Sequence, residues 1–101
     1  MIVYNVTVKL DHSIAADWRY WMLKEHMPML MNTGLFTESK LFRLLDQDDT
    51  EGPTFCAQYY CSSRKEYDDY IDLHAPAMRE ESIKKWGNKF VAFRSLMELQ
   101  E

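Results

Sequence analysis

The residues best suited to chemistry lie together in the run Glu25-His26-Met27-Pro28. At about 100° per residue, Glu25 falls on the same apolar helix face as Trp18 and Trp21, so its carboxylate is predicted to be buried. Burial raises the pKa of a carboxyl group toward the range that a general acid or base needs at neutral pH. Its neighbour His26 could transfer protons, bind a metal ion, or cap a carbonyl oxygen freed by Pro28. We take Glu25 and His26 as the candidate catalytic pair, with a purely structural role as the alternative.

A second set of side chains combines aromatic surface with polar tips and is a candidate for binding a ligand. Arg94 lies on an otherwise apolar strand and needs a partner if it points inward, for which Glu25 is the expected residue. His74 lies among apolar residues of the second helix, where a lone histidine is more often a hydrogen-bonded core residue than a ligand contact. The candidate ligand-binding residues are Tyr4, Trp18, Trp21, Tyr59, His74 and Arg94.

Motifs for metal or covalent chemistry are absent from the chain. No HExxH, CxxC or aspartate-rich loop is present, so no metal site is predicted. Neither cysteine has a basic neighbour in sequence, and no GxSxG elbow occurs. We therefore expect no cofactor on the evidence of motifs, and nothing in the residues predicts a haem.

The elements that position these residues alternate as strand, helix, strand, strand, helix, strand. The segment 2–10 alternates apolar and polar residues, and helical spacing follows from about Ile14 to the stop at 32–34. Strand formers occupy 35–45 and 54–61, on either side of an acidic hairpin, and 90–99 forms the last strand. Pro28 predicts a kink in the first helix, and Pro76 interrupts the second. This order predicts an α+β, ferredoxin-like βαββαβ domain over 1–101, an antiparallel four-stranded sheet with two helices on one face.

Composition narrows the class of partner and the compartment. The chain has 101 residues, of which 47% are hydrophobic, and a net charge of -4. An acidic chain lacks the excess of basic residues expected of a protein that binds nucleic acid or an acidic membrane surface. Cys56 and Cys61 lie on opposite faces of one predicted strand and cannot pair there, so reduced thiols and a cytoplasmic location are expected.

Both faces of the predicted sheet carry apolar side chains, although two helices can cover only one of them. The last strand has Phe90, Ala92 and Leu96 on one face and Val91, Phe93 and Met97 on the other. An uncovered apolar sheet face predicts a partner, and a second copy of the chain is the economical one. We predict a homodimer with its sheets face to face.

Several stretches resemble a bacterial family of domains whose activity is not established. They are MIVYNVTV, W-x-x-W-M-x-x-E-H-M-P, T-G-L-F, L-H-A-P-A-M-R and K-F-V-A-F-R, which together extend over nearly the whole chain. That family is similar to the dimeric alpha-beta barrels, which include the antibiotic-biosynthesis monooxygenase-like, EthD-like and stress-responsive barrel proteins. The resemblance implies a ferredoxin-like fold, a dimer, and a pocket between helices and sheet where relatives bind apolar small molecules or haem.

Two functions follow from the sequence, and both stay open at this point. The first is a dimer that binds or transforms a small, partly apolar molecule in a pocket between the first helix and the sheet, where an acid-base pair and an apolar cavity suffice for cofactor-free oxidation or isomerisation. The second is a non-enzymatic structural or protein-interaction module in which Glu25 and His26 only support the helix.

Overall fold

The computed structural model describes residues 1–101 and contains one four-stranded antiparallel sheet with helices against it. The strands are β1 (Ile2–Leu10), β2 (Glu38–Arg43), β3 (Thr54–Cys61) and β4 (Phe90–Glu98). Their order across the sheet is β2-β3-β1-β4, which makes β2 and β4 the edges. The expected ferredoxin-like α+β fold is confirmed. The second strand is shorter than the predicted 35–45, because only 38–43 pair with β3.

The register of the strands separates an inner face, which packs against the helices, from an outer face. On the inner face Tyr4 of β1 pairs with Tyr59 of β3 on one side and with Leu96 of β4 on the other. Asn5 and Thr7 point to the outer face, where the Asn5 amide donates a hydrogen bond to the Thr7 hydroxyl at 3.0 Å. Cys56 is an outer residue beside Thr7, Cys61 is buried on the inner face, and both are free thiols, as their odd spacing predicts.

The first helical segment contains a π turn at the position where the sequence predicts a kink. A 3-10 turn (His12–Ile14) leads into α1 (Ala15–Trp21), a π turn (Met22–His26) and α2 (Met27–Met31). The Met27 amide donates to the carbonyl oxygen of Met22, five residues earlier, so this turn holds one residue more than an α turn. Pro28 lacks the amide proton that the next α-helical bond would use, which explains why the interruption occurs here.

The extra residue rotates everything after it and corrects the prediction for Glu25. Glu25 is exposed, not buried, because the wide turn carries it past the inward direction. Met29 is likewise 36% exposed, and Met27 and Leu30 take the buried positions instead. Before the turn, Trp18 and Trp21 are buried as the α-helical spacing predicts.

The second helical segment is divided at His74 into α3 (Arg64–Leu73) and α4 (Ala75–Trp86). Pro76 lies in the first turn of α4, where a missing amide proton is tolerated, so the break falls just before it. Ser63 is the N-cap residue of α3 and donates a hydrogen bond to the Glu66 carboxylate. Gly87 ends α4 with φ at 62°, a conformation that favours glycine.

The core lies between the inner face of the sheet and the helices. Its least exposed large side chains are Tyr59, Leu10, Leu30 and Cys61. The helices α3 and α4 each contribute one residue to the fully buried set, Tyr70 and Ala75 respectively. None of the helices has both the length and the hydrophobicity that a membrane span requires.

Candidate functional site

A cavity of about 50 Å³ lies between the first helical segment, α4 and the inner face of the sheet. Its floor is formed by small and branched side chains of the two central strands, including Val6, Val8 and Ala57. Trp18 and Trp21 line the side facing the first helical segment, and Met78 lines the side facing α4. The lining is mostly apolar, and the polar groups that interrupt it are the ones described next.

His26 is the polar residue that the π turn brings into the cavity. Its imidazole stacks on the indole of Trp21, with ring centroids 4.6 Å apart. Its buried Nδ1 atom has no hydrogen-bond partner, so it does not cap a carbonyl oxygen near Pro28 as the sequence allowed. Burial lowers the pKa of His26 to about 4. The ring is therefore neutral at pH 7 and able to accept one hydrogen bond from a guest molecule.

Tyrosine hydroxyls supply further polar groups. Burial raises the pKa of Tyr59, and the neighbouring Tyr70 and Tyr4 raise it further. Burial also raises the pKa of Tyr70, so both hydroxyls stay protonated at neutral pH. Tyr4 packs between them, with its ring centroid 6.0 Å from that of Tyr59 and 5.7 Å from that of Tyr70. The tyrosines thus act as hydrogen-bond donors and not as anions.

Two arginines reach the cavity from different elements. Arg94 of β4 donates a hydrogen bond from Nε to the Tyr4 hydroxyl at 3.2 Å, so its partner is Tyr4 and not the expected Glu25. Arg79 of α4 also lines the cavity, and its buried Nε has no partner. Glu25 cannot pair with Arg94 because it lies on the far side of Trp21, beside Lys85 and Trp86 in a shallow surface depression.

The structure brings together most of the residues predicted from sequence. Glu25 and His74 lie outside the cavity: Glu25 for the reason just given, and His74 because the break between α3 and α4 leaves it stacked on Tyr70 at 6.2 Å. The predicted residues that line it are Tyr4, Trp18, Trp21, His26, Tyr59 and Arg94.

Sequence analysis missed Arg79 and Ser82. Ser82 follows Met78 by four residues and donates a hydrogen bond to its carbonyl oxygen at 3.2 Å. The four-residue spacing of Met78, Ser82 and Trp86 was the available signal for the inward face of α4. Arg79 lies next to that stripe, where a charged residue is usually assigned to solvent.

The geometry of the cavity does not match the needs of a metal ion or a haem. No three side chains among His, Cys, Asp and Glu converge anywhere in 1–101. A porphyrin does not fit a cavity of about 50 Å³.

The sequence matches a known protein family over almost its whole length. Residues 1–100 match the domain of unknown function DUF4286, and the chain belongs to that family. No protein with a curated description of its function matches the sequence.

Solved structures with the same fold have low sequence identity to this chain. SnoaB, a cofactor-independent oxygenase from Streptomyces nogalater, aligns with a TM-score of 0.70 at 11% identity, over 99% of this chain and 94% of its own. A dimeric ferredoxin-like protein from an uncultured marine organism gives 0.69 at 11% identity, over 100% and 96%. An EthD family protein from Bacillus halodurans gives 0.66 at 13% identity, over 99% and 100%. These likenesses establish the ferredoxin-like fold.

Proposed function

We propose that the protein binds a small, partly apolar molecule in the cavity lined by Trp18, Trp21 and His26. The observation that carries the proposal is a pair of buried polar atoms without partners, Nδ1 of His26 and Nε of Arg79, on two residues that line an otherwise apolar cavity. Unpartnered buried polar atoms are costly and uncommon in folded proteins, so their presence in a cavity indicates a molecule that completes their hydrogen bonds.

A guest larger than a few water molecules requires the cavity to widen, because about 50 Å³ admits only a few of them. The side facing α4 is where widening costs least. Met78 and Arg79 are half-buried, unbranched side chains, and α4 contributes only Ala75 to the fully buried core. A shift of these side chains would open the space between α4 and β4 without disturbing Trp18 or Trp21.

The same cavity suits proton transfer without a cofactor. A neutral imidazole can accept a proton from a bound hydroxyl or acidic carbon, and protonated tyrosines can donate hydrogen bonds to the resulting oxyanion. SnoaB, which has this fold, is a cofactor-independent oxygenase. Its likeness supports a transformation of this class as the activity to test first, with His26 in the place that sequence analysis gave to the pair Glu25 and His26.

The proposal includes a homodimer formed through the outer face of the sheet. Phe42 of β2 and Phe93 of β4 lie at the two ends of one row across that face, with Cys56 and Thr7 between them. Val91 and Met97 extend the exposed apolar surface along β4. A second copy covers such a surface, and neighbours with this fold are described as dimeric.

We place this homodimer in the cytoplasm, because two free cysteines favour a reducing compartment. Nucleic acids and acidic membranes are not proposed as partners, since the net charge is -4.

Native mass spectrometry of the purified protein tests the proposal, because it reports the dimer and any retained ligand together. Fluorescence of Trp18 and Trp21 then follows binding of small ring compounds to the cavity. We expect His26→Phe to fold but to lose affinity for guests that carry a hydroxyl or carbonyl, and Glu25→Gln, the matched control outside the cavity, to bind as wild type. An intact dimer that binds no compound of a ring-fragment library would contradict the proposal and favour the interaction module.

A further inference from the structure

We propose that the cavity selects anions, and specifically the carboxylate of a small aromatic or otherwise apolar acid, held by Arg79 and Arg94. The inference rests on the proposed function, since it names the class of molecule that the cavity binds. It begins from the distribution of charge around the cavity.

The cavity is positively charged although the chain is acidic. The sequence contains 16 acidic and 12 basic residues, yet the lining includes two arginines and neither aspartate nor glutamate. The ion pairs of the protein lie elsewhere and involve other cations: Lys40, Arg43, Arg64, Lys65 and Lys84. Neither Arg79, which is half-buried, nor Arg94, which is exposed, forms an ion pair within the chain, so both charges are available to a bound anion.

Arg79 of α4 and Arg94 of β4 line the same cavity, together with Tyr70. Besides burial and Tyr4, which raise the pKa of Tyr70, the positive charges of Arg79 and Arg94 both act on it in the lowering direction. Both charges therefore lie near the same phenol. The terminal nitrogens of Arg94 remain free after its Nε bonds to the Tyr4 hydroxyl, and the buried Nε of Arg79 has no partner.

A carboxylate matches these donors in number and shape. A guanidinium presents a planar pair of N–H groups that fits the two oxygens of a carboxylate, and the hydroxyl proton of Tyr4 has no acceptor in the protein. The rest of the lining, including Trp18 and Trp21, offers apolar surface for a ring, which an inorganic phosphate ion would leave without a partner. The pairing of two cations with aromatic walls therefore indicates a monoanionic, apolar acid.

The test compares benzoate with benzamide, which has nearly the same shape but no charge. Binding to the wild-type protein is measured by calorimetry and ligand-observed NMR at two salt concentrations. We expect benzoate to bind at least about tenfold more tightly than benzamide, as for a hydrogen bond between charged groups, with part of the advantage lost at high salt. The variants Arg79→Gln and Arg94→Gln should each lower the affinity for benzoate more than that for benzamide, so that most of the advantage is lost.

Arg19→Gln is the matched control, because it removes the same charge from an exposed position of α1 outside the cavity. Urea unfolding of each variant verifies that the fold persists. Equal affinity for benzoate and benzamide would overturn the anion inference and leave the proposed function standing. Failure of both compounds to bind would overturn both. Inorganic phosphate competing as well as benzoate would overturn the assignment to apolar acids.

Discussion

The imidazole of His26 lies over the indole of Trp21, with ring centroids 4.6 Å apart and ring planes inclined by 25°. Trp86 packs edge-on against the same indole at 5.7 Å. The stack fixes the histidine ring between aromatic surface and cavity, away from water and from any carboxylate. It is the structural reason that burial lowers the pKa of His26.

The stability of the protein should depend on the protonation of His26. The unfolded chain takes up a proton near pH 6.5, whereas the folded state takes it up only near pH 4. Between these values the unfolded state binds more protons, so the free energy of unfolding falls as the pH falls, by at most about 1.4 kcal/mol per pH unit from this group. Urea unfolding measured from pH 7 to pH 4 provides the slope.

His26→Phe is the control for this pH dependence, because it keeps an aromatic ring on Trp21 and removes the titrating group. The variant should show a shallower loss of stability over the same interval, with the remaining slope due to carboxylates. Identical slopes for the two proteins would show that His26 titrates normally. NMR titration of the His26 ring gives the same answer independently.

Phe93→Glu should dissociate the proposed dimer. Phe93 is 60% exposed on the outer face of β4, so a carboxylate there opposes stacking of two sheets and leaves the monomer fold intact. Light scattering after size exclusion measures the mass. Leu73→Glu, which places the same charge on an exposed apolar site of α3, should remain dimeric, and a dimeric Phe93→Glu would place the interface elsewhere.

Gly52→Ala should destabilise the protein by more than about 3 kcal/mol in urea unfolding. The φ angle of Gly52 is 150°, and a methyl group there would lie 1.7 Å from the carbonyl oxygen of Leu10, so the loop before β3 would have to move. Gly34→Ala is the control. Its φ is 76° with open space around it, so only the backbone cost of about 1 kcal/mol applies. Similar losses for the two variants would show that the loop adapts.

Met78→Ala should lower the stability of the protein and enlarge the cavity. Removing this half-buried side chain from the α4 side of the cavity lowers the free energy of unfolding by about 1 to 2 kcal/mol. A ring compound then no longer has to displace the Met78 side chain in order to bind. Benzoate affinity should therefore rise. Met29→Ala removes the same group from a position outside the cavity, and an equal rise there would contradict a widened entrance.

Local patterns predicted the fold well because each element follows its own periodicity. The alternation of apolar and polar residues from Ile2 to Leu10 predicted the central strand and its inner face. The position of Pro76 predicted the break between α3 and α4. Trp18 and Trp21 were assigned to the interior because the helix before the π turn has ordinary geometry. The short β2 was overestimated, since pairing along an edge depends on how far β3 extends beside it.

The candidate site was predicted only in part, because the decisive feature is a change of helical period. A helix of 100° per residue would point Glu25 toward the interior. Because the π turn contains one additional residue, His26 points there instead. The types of the residues before Pro28 do not predict that the turn widens. Arg79 was missed for another reason: its role depends on the distance between α4 and β4, and that distance is a tertiary property.

The π turn also bears on how this site should be traced among relatives. A relative that lacks one residue between Leu23 and Glu25 would form an ordinary α turn there. Its residues equivalent to Trp21, and to His26 and those that follow, would still point in the same directions as in this chain. An alignment without gaps would then place the cavity residue of such a relative opposite Glu25. Allowing a single gap in this turn aligns it with His26, so comparison of family members should be made with that gap permitted.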